Sequence, residues 1–259
     1  MKNERVLITG ASSGIGWELA KLFARDGYDL IVVARNAEKL NQLKRELETA
    51  HGVNVAVVVK DLTRQDHVTA LYEELRENGL RVDMLVNNAG YGLYGKFIET
   101  DLQDELNMIE LNVVTLTHLT KLFLPDMVKR NKGRIMNVAS TAAFQPGPMM
   151  AVYYATKAYV LSFTEALENE LKGTNVTVTA LCPGATATGF ESRANLQQSK
   201  LFKSGVMDVQ TVARIGYDAF LNGKTIVIPG WKNRLLANSV RFLPRKLVTS
   251  VVRMIQEKA

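Results

Sequence analysis

The chain has 259 residues, 47% hydrophobic and 22% charged, enough apolar material for a large buried core in one globular unit. The net charge is +6, but the basic residues are spread along the chain rather than run together, with Asp and Glu between them, which argues against a nucleic-acid partner. A single cysteine, Cys182, excludes an internal disulfide framework and a CxxC metal site; with no signal-like apolar segment after "MKNERVLITG", the expected compartment is the cytoplasm.

The first β-branched run, 5–9, leads through "TGASSGIG" into a helical pattern of Ile15, Leu19, Leu22 and Phe23 that closes at Gly27. A second run at 29–34 precedes a helix with Leu40, Leu43 and Leu47, closed by Gly52. A third, 53–59, precedes one with Val68, Leu71 and Leu75, closed by Gly79 and N-capped by Thr63. Further runs lie at 82–86, 134–139, 175–181 and 224–229. Such near-continuous apolar strands are covered on both faces. Their alternation with helices predicts an α/β, doubly wound (Rossmann-type) parallel sheet of about seven strands in a single domain, 1–230, followed by a tail, 231–259. The uncharged run 135–156 is long enough to span a bilayer, but Asn137, Gln145, Pro146, Gly147 and Pro148 argue against that. A pocket for an apolar substrate and plain core fit this run equally well.

In such a sheet, ligands gather beyond the C-terminal strand ends. Gly10, Gly14 and Gly16, between the first strand and its helix, suit a tight turn that admits a pyrophosphate to the helix N-terminus; a turn with no ligand is the alternative. At the end of the second strand Ala34 stands where an acid would select NAD, and Arg35 follows. Arg35, helped by Ser12, is therefore the candidate partner of a 2′-phosphate, so NADP(H) is expected in preference to NAD(H).

"TGASSGIG", "NNAG" at 87–90, Asn112 in "LNVV", Ser140 in "NVAS", Tyr153 with Lys157, and "PGATAT" at 183–188 together resemble the single-domain short-chain dehydrogenase/reductase family over roughly residues 4–230. The resemblance implies that Gly10, Ser12, Ser13, Gly14, Ile15 and Gly16 border the cofactor. It also implies that Asp61 and Leu62 border the adenine, and that Asn88, Ala89 and Gly90 lie on the adenosine ribose side. Pro183, Gly184 and Thr186 then flank the nicotinamide, and Thr188 reaches toward the phosphates. Residues four apart share a helix face, so Tyr153 meets Lys157 whereas Tyr154 meets Ala158. A phenol of pKa about 10 needs such a cation to work near neutrality. In the implied mechanism Tyr153 transfers the proton and Ser140 binds the substrate oxygen. Lys157 also binds the nicotinamide ribose, and Asn112 bends its helix and anchors a water relay; no metal is required.

Tyr91, Leu93, Tyr94, Phe144, Met149 and Met150 are candidate walls for a lipophilic ketone, aldehyde or secondary alcohol, and 189–207 stands where the family carries a lid. Cys182 is read as a small buried hydrophobe. The tail forms two helices with apolar stripes, Leu236, Val240 and Leu243 before Pro244, then Leu247, Val251 and Ile255. It is expected to dock on the domain or on a second subunit, with peripheral membrane contact as the alternative. Similar tails occur in relatives resembling ketoacyl and hydroxysteroid reductases. The family also implies a homodimer or homotetramer through helices near 101–130 and 151–172. The reading is thus an NADP(H)-dependent oxidoreductase acting on a small-molecule carbonyl or alcohol, with a nucleotide-sensing regulator as the alternative. A sugar-nucleotide epimerase would need a longer chain.

Overall fold

The computed structural model describes residues 2, 4–189 and 206–256. Seven strands form one all-parallel sheet: β1 (Arg5–Thr9), β2 (Asp29–Ala34), β3 (Val55–Val59), β4 (Met84–Asn87), β5 (Gly133–Val138), β6 (Val176–Leu181) and β7 (Ile226–Val227), in the order β3-β2-β1-β4-β5-β6-β7. Helices α1 (Gly14–Arg25), α2 (Ala37–His51) and α3 (Gln65–Glu77) return the chain between the first strands. Beyond β4 come α4 (Leu102–Ile109), a π-helical turn (Glu110–Thr115) and α5 (Leu116–Lys129), then a 3-10 turn (Thr141–Phe144) and α6 (Ala151–Glu170). The later helices are α7 (Val209–Leu221), α8 (Trp231–Ser239), a 3-10 turn (Val240–Phe242) and α9 (Arg245–Gln256). Among the described residues no helix is long and apolar enough to cross a membrane.

Alternate strand residues feed two separate cores. Val6, Ile8, Leu30 and Val32 face α1, α2 and α7, while Leu7, Ile31 and Val33 face α3, α5 and α6. Phe23 anchors the first core, its ring edge-to-face with Tyr28, Tyr217 and Phe220 at 5.6, 4.8 and 5.9 Å between centroids. In the second, the buried amides of Asn87 and Asn137 form a ladder. Asn87 donates to Thr120 Oγ1 at 3.1 Å and to Asn137 Oδ1 at 2.9 Å, and Asn137 donates to Thr164 Oγ1 at 2.9 Å. These bonds fix the sheet to α5 and α6.

Strand order reverses on either side of β1, so the connections leaving β1 and β4 part at their C-terminal ends and open a crevice. Its two lips are tied together. Thr9 Oγ1 accepts from the backbone N–H groups of Asn88 (3.0 Å) and Ala89 (2.9 Å), and Asn88 Nδ2 donates to the carbonyls of Thr9 (2.9 Å) and Gly10 (3.2 Å).

Three local expectations need correction. Thr63 does not cap α3: its N–H and hydroxyl turn back onto Asp61, and Arg64 holds the cap position with no side-chain capping bond. β3 begins at Val55 rather than residue 53, and β7 shortens to two residues because only Ala180 and Leu181 of β6 pair with it. The helical stretch near 101–130 is interrupted by a π-helical turn around Asn112, the residue at which the resemblance implies a bend.

Because Phe23 has no exposed surface and touches three rings, Phe23→Ala is expected to cost about 3–5 kcal/mol of unfolding free energy. Chemical denaturation measures that loss.

Candidate active site

A cavity of about 1360 Å³ runs along the C-terminal edge of the sheet. At one end it is lined by Gly10, Ser12, Ser13, Gly14 and Ile15 of the first turn, Arg35 after β2, and Asp61 and Leu62 after β3. Asn88, Ala89 and Gly90 after β4 continue it, followed by Ser140, Tyr153 and Lys157, and by Pro183, Gly184, Thr186 and Thr188 after β6. Two sequence candidates stand outside this lining. Gly16 is a packing position: a Cβ there would lie 2.5 Å from Asn88 Nδ2 and 2.6 Å from the Gly10 carbonyl. Asn112 sits behind Gly90, accepting from Tyr91 N–H (3.1 Å) and donating to Tyr91 O (2.9 Å) and Thr156 Oγ1 (3.1 Å).

The glycine turn is shaped for close approach. Gly10 has φ +66°, and a Cβ on it would meet Ala89 Cα at 2.9 Å. α1 opens at Gly14 with Ser13 as its N-cap residue, and the Ser13 side chain bonds none of the first-turn amides. Those donors face the cavity at the positive end of a helix dipole, a setting that suits an anion. At the β2 end Arg35 is largely exposed and its Nη1 lies 3.8 Å from Asp61 Oδ2. Burial raises the Asp61 pKa, but the Thr63 donors and Arg35 outweigh it and leave it below the usual carboxylate range. The carboxylate stays charged and steadies Arg35 beside the crevice.

On α6, Tyr153 and Lys157 face the same side, with Lys157 Nζ 5.8 Å from the centroid of the Tyr153 ring. Burial pushes the phenol well above its usual pKa, and its hydrogen bond with Ser140 draws it part of the way back. Burial also lowers the Lys157 ammonium to about 8. That ammonium donates to the Val138 carbonyl at 2.8 Å, so it is tethered to the end of β5. Ser140 is fixed as well: its Oγ accepts from Ala142 N–H at 3.1 Å and reaches the Pro183 carbonyl at 3.4 Å. Cys182 is buried, and burial raises its thiol to about 12, so it is inert as a thiolate.

The far wall differs from the one read in the sequence. Tyr91 and Met150 line the cavity, but Phe144 packs with Ala139, Val160 and Leu161, while Leu93 and Tyr94 pack against Met108, Tyr153 and Tyr154. Met149 is held in a left-handed turn at φ 68°, its carbonyl accepting from Gly95 N–H at 2.8 Å. Residues 190–205 of the expected lid lie outside the described residues. The wall is supplied instead by the C-terminal segment, with Leu236, Val240, Leu243, Val248, Val252 and Gln256 in the lining. Gln256 is buried, and its Nε2 donates to Tyr154 Oη at 2.6 Å while its carbonyl accepts from Tyr94 Oη at 2.8 Å. Amphipathic stripes in the tail were visible in the sequence, but nothing there told which face turns to the cavity.

A doubly wound parallel sheet with a glycine-lined crevice, and a tyrosine and lysine on the adjoining helix, is the architecture of a nucleotide-dependent oxidoreductase. A family model described as short chain dehydrogenase matches residues 4–199. A ketoacyl reductase, HetN of Nostoc sp., is 31% identical over 229 residues, 88% of this chain and 79% of that one. A short-chain dehydrogenase from Sphingobium yanoikuyae, solved in complex with NADPH, is 34% identical, with a TM-score of 0.84 and 98% of both chains covered. A bulky-bulky ketone specific alcohol dehydrogenase from Comamonas testosteroni is 31% identical, with a TM-score of 0.79 and 93% of both chains covered. The chain belongs to the short-chain dehydrogenase family of oxidoreductases.

The Gln256 amide also makes a testable arrangement, because its Oε1 is buried without a partner among the described residues and its Nε2 depends on Tyr154. Tyr154→Phe strands that donor and is expected to cost about 1–3 kcal/mol, most of it recovered in the double variant Tyr154→Phe/Gln256→Met. Denaturation of the three variants measures this, together with hydrogen exchange across 245–256.

Proposed function

We propose that the protein is an NADP(H)-dependent oxidoreductase that interconverts a lipophilic ketone and its secondary alcohol, with Tyr153 as the general acid and base. The observation that carries this reading is the meeting of Ser140, Tyr153 and Lys157 on one cavity, with the phenol bonded to Ser140 and the ammonium buried beside its ring. The glycine turn and the α1 amides suit a pyrophosphate, and Arg35 with Ser12 suits a 2′-phosphate. Asp61 and Leu62 suit the adenine, Asn88 to Gly90 its ribose, and Lys157 the second ribose. Pro183, Gly184 and Thr186 suit the nicotinamide, which when bound supplies or accepts the hydride, and Thr188 suits the phosphates.

The chain's own groups then handle the oxygen and the proton. Ser140 Oγ and Tyr153 Oη present two hydroxyl donors to a substrate oxygen, which stabilises negative charge as it develops there. Burial keeps Tyr153 protonated, so in the reducing direction the proton is already in place. Lys157 supplies the positive charge that lets the phenol release it, and with a pKa of about 8 the ammonium keeps most of its charge at neutral pH in spite of its burial. Asn112 braces this arrangement by holding Tyr91 and Thr156, one residue from Lys157. The apolar wall from Leu236 to Val252 favours a lipophilic substrate, in keeping with the bulky ketones named for the Comamonas testosteroni enzyme. A second copy of the chain suits the exposed Leu102, Leu106, Val114, Val128 and Tyr159 on α4 to α6. The free, buried Cys182 suits a cytosolic setting. A nucleotide-sensing role without turnover is the weaker reading, since Asn112, Ser140, Tyr153 and Lys157 are all present.

Tyr153→Phe is expected to lower kcat for NADPH-dependent ketone reduction by about 10²–10⁴ while NADPH affinity stays near that of the parent protein. Steady-state kinetics and calorimetric titration check the two halves; a variant that keeps its activity refutes the role. Arg35→Ala is expected to weaken NADPH binding by about tenfold and to leave NADH binding unchanged. Parallel titrations with the two nucleotides measure it, and an equal loss for both contradicts the assignment.

A further inference from the structure

Between Trp231 and Gln256 the sequence holds Lys232, Arg234, Arg241, Arg245, Lys246 and Arg253, and no Asp or Glu. That charge equals the whole chain's net +6, so the rest of the molecule is balanced and the excess lies in this one segment. Its helices are two-sided. On α9, Val248, Val252 and Gln256 recur every four residues and turn inward, whereas Leu247, Val251 and Met254 form a neighbouring stripe left exposed. On α8, Trp231 and Leu235 share a face and are 73% and 63% exposed; between the helices Phe242 is 86% exposed. Long apolar side chains in water, on a segment that carries six basic residues and no Asp or Glu between 231 and 256, have the composition of a helix that lies in a lipid interface.

A second copy of the chain fits this face poorly, because a two-fold contact would set the six cations against the same six. The apolar face on α4 to α6 is different: its exposed Asp104 and Asp126 lie among exposed Lys121 and Lys129, so both signs are available to a second copy there. The charged tail also frames the site. Leu236, Leu243, Val251 and Ile255 line the cavity and yet remain exposed, so they form its mouth.

We propose that the outer face of residues 231–256 docks on an anionic lipid bilayer, with Trp231, Leu235, Phe242, Leu247 and Met254 entering the interface and the basic residues meeting lipid headgroups. Docking there brings the mouth of the cavity to the membrane surface, where lipophilic compounds concentrate. The surface claim needs no turnover, so its failure leaves the catalytic reading intact.

The test is co-sedimentation of the full chain with vesicles of phosphatidylserine and phosphatidylcholine, against vesicles of phosphatidylcholine alone, at low and high salt. Binding is expected to the anionic vesicles only and to be reversed by salt. The pair Arg245→Glu/Lys246→Glu is expected to weaken it by about tenfold or more. The pair Trp231→Ser/Phe242→Ser is expected to weaken it similarly, with unfolding midpoints and NADPH-dependent turnover of a water-soluble ketone unchanged in both. Failure to bind anionic vesicles, or equal binding to neutral ones, overturns the proposal. So does light scattering that shows Phe242-dependent self-association in place of vesicle binding, which would make the face an interface between copies.

Discussion

Lys157 carries its ammonium into the interior of the molecule, 6% exposed, and anchors it on the Val138 carbonyl at 2.8 Å. Burying a cation is costly, and here the cost takes the form of a pKa lowered to about 8. Much of the site is arranged around that group. β5 ends where its carbonyl can accept from it, Ser140 two residues later caps the 3-10 turn, and α6 holds Tyr153 one helical turn before the lysine. Gly90 and Asn112 close over the other side, so near that a Cβ on Gly90 would lie 2.8 Å from the Asn112 amide oxygen and 3.6 Å from Lys157 Nζ.

The same sheet sets the distance between this group and the glycine turn. All seven strands run parallel, so every loop with chemistry leaves from one edge, and the Thr9 and Asn88 bonds hold the two lips of the crevice in register. Rigid strands thus carry the Ser140, Tyr153 and Lys157 cluster on one side of the switch point and the glycine turn on the other. The C-terminal segment completes the enclosure from outside. It is pinned at Gln256 by Tyr94 and Tyr154, two tyrosines close to the substrate end.

What was legible in the sequence follows from physical necessity. Strands buried on both faces must be apolar throughout, so all seven runs stood out; the last was drawn too long because residues flanking β7 pack without pairing. Gly27, Gly52 and Gly79 were legible as helix stops because each adopts positive φ, which other residues resist. The spacing of Tyr153 and Lys157 fixed their shared face. Contacts made across long sequence distances were not legible. Phe144 turned to the core and Gln256 to the cavity because of partners far along the chain. Thr63 was miscast as a cap because α3 begins only at Gln65, which puts Arg64 at the cap position and leaves the Thr63 hydroxyl to donate to Asp61.

The most direct test of this architecture is an NMR titration of the lysine side-chain nitrogens, with Lys157→Met identifying the signal. A single lysine titrating near pH 8, absent from the variant, is the expected result. If Lys157 titrates at the ordinary lysine value, the ammonium is not held in a dehydrated site, and the arrangement of β5, Gly90 and Asn112 around a buried cation is contradicted.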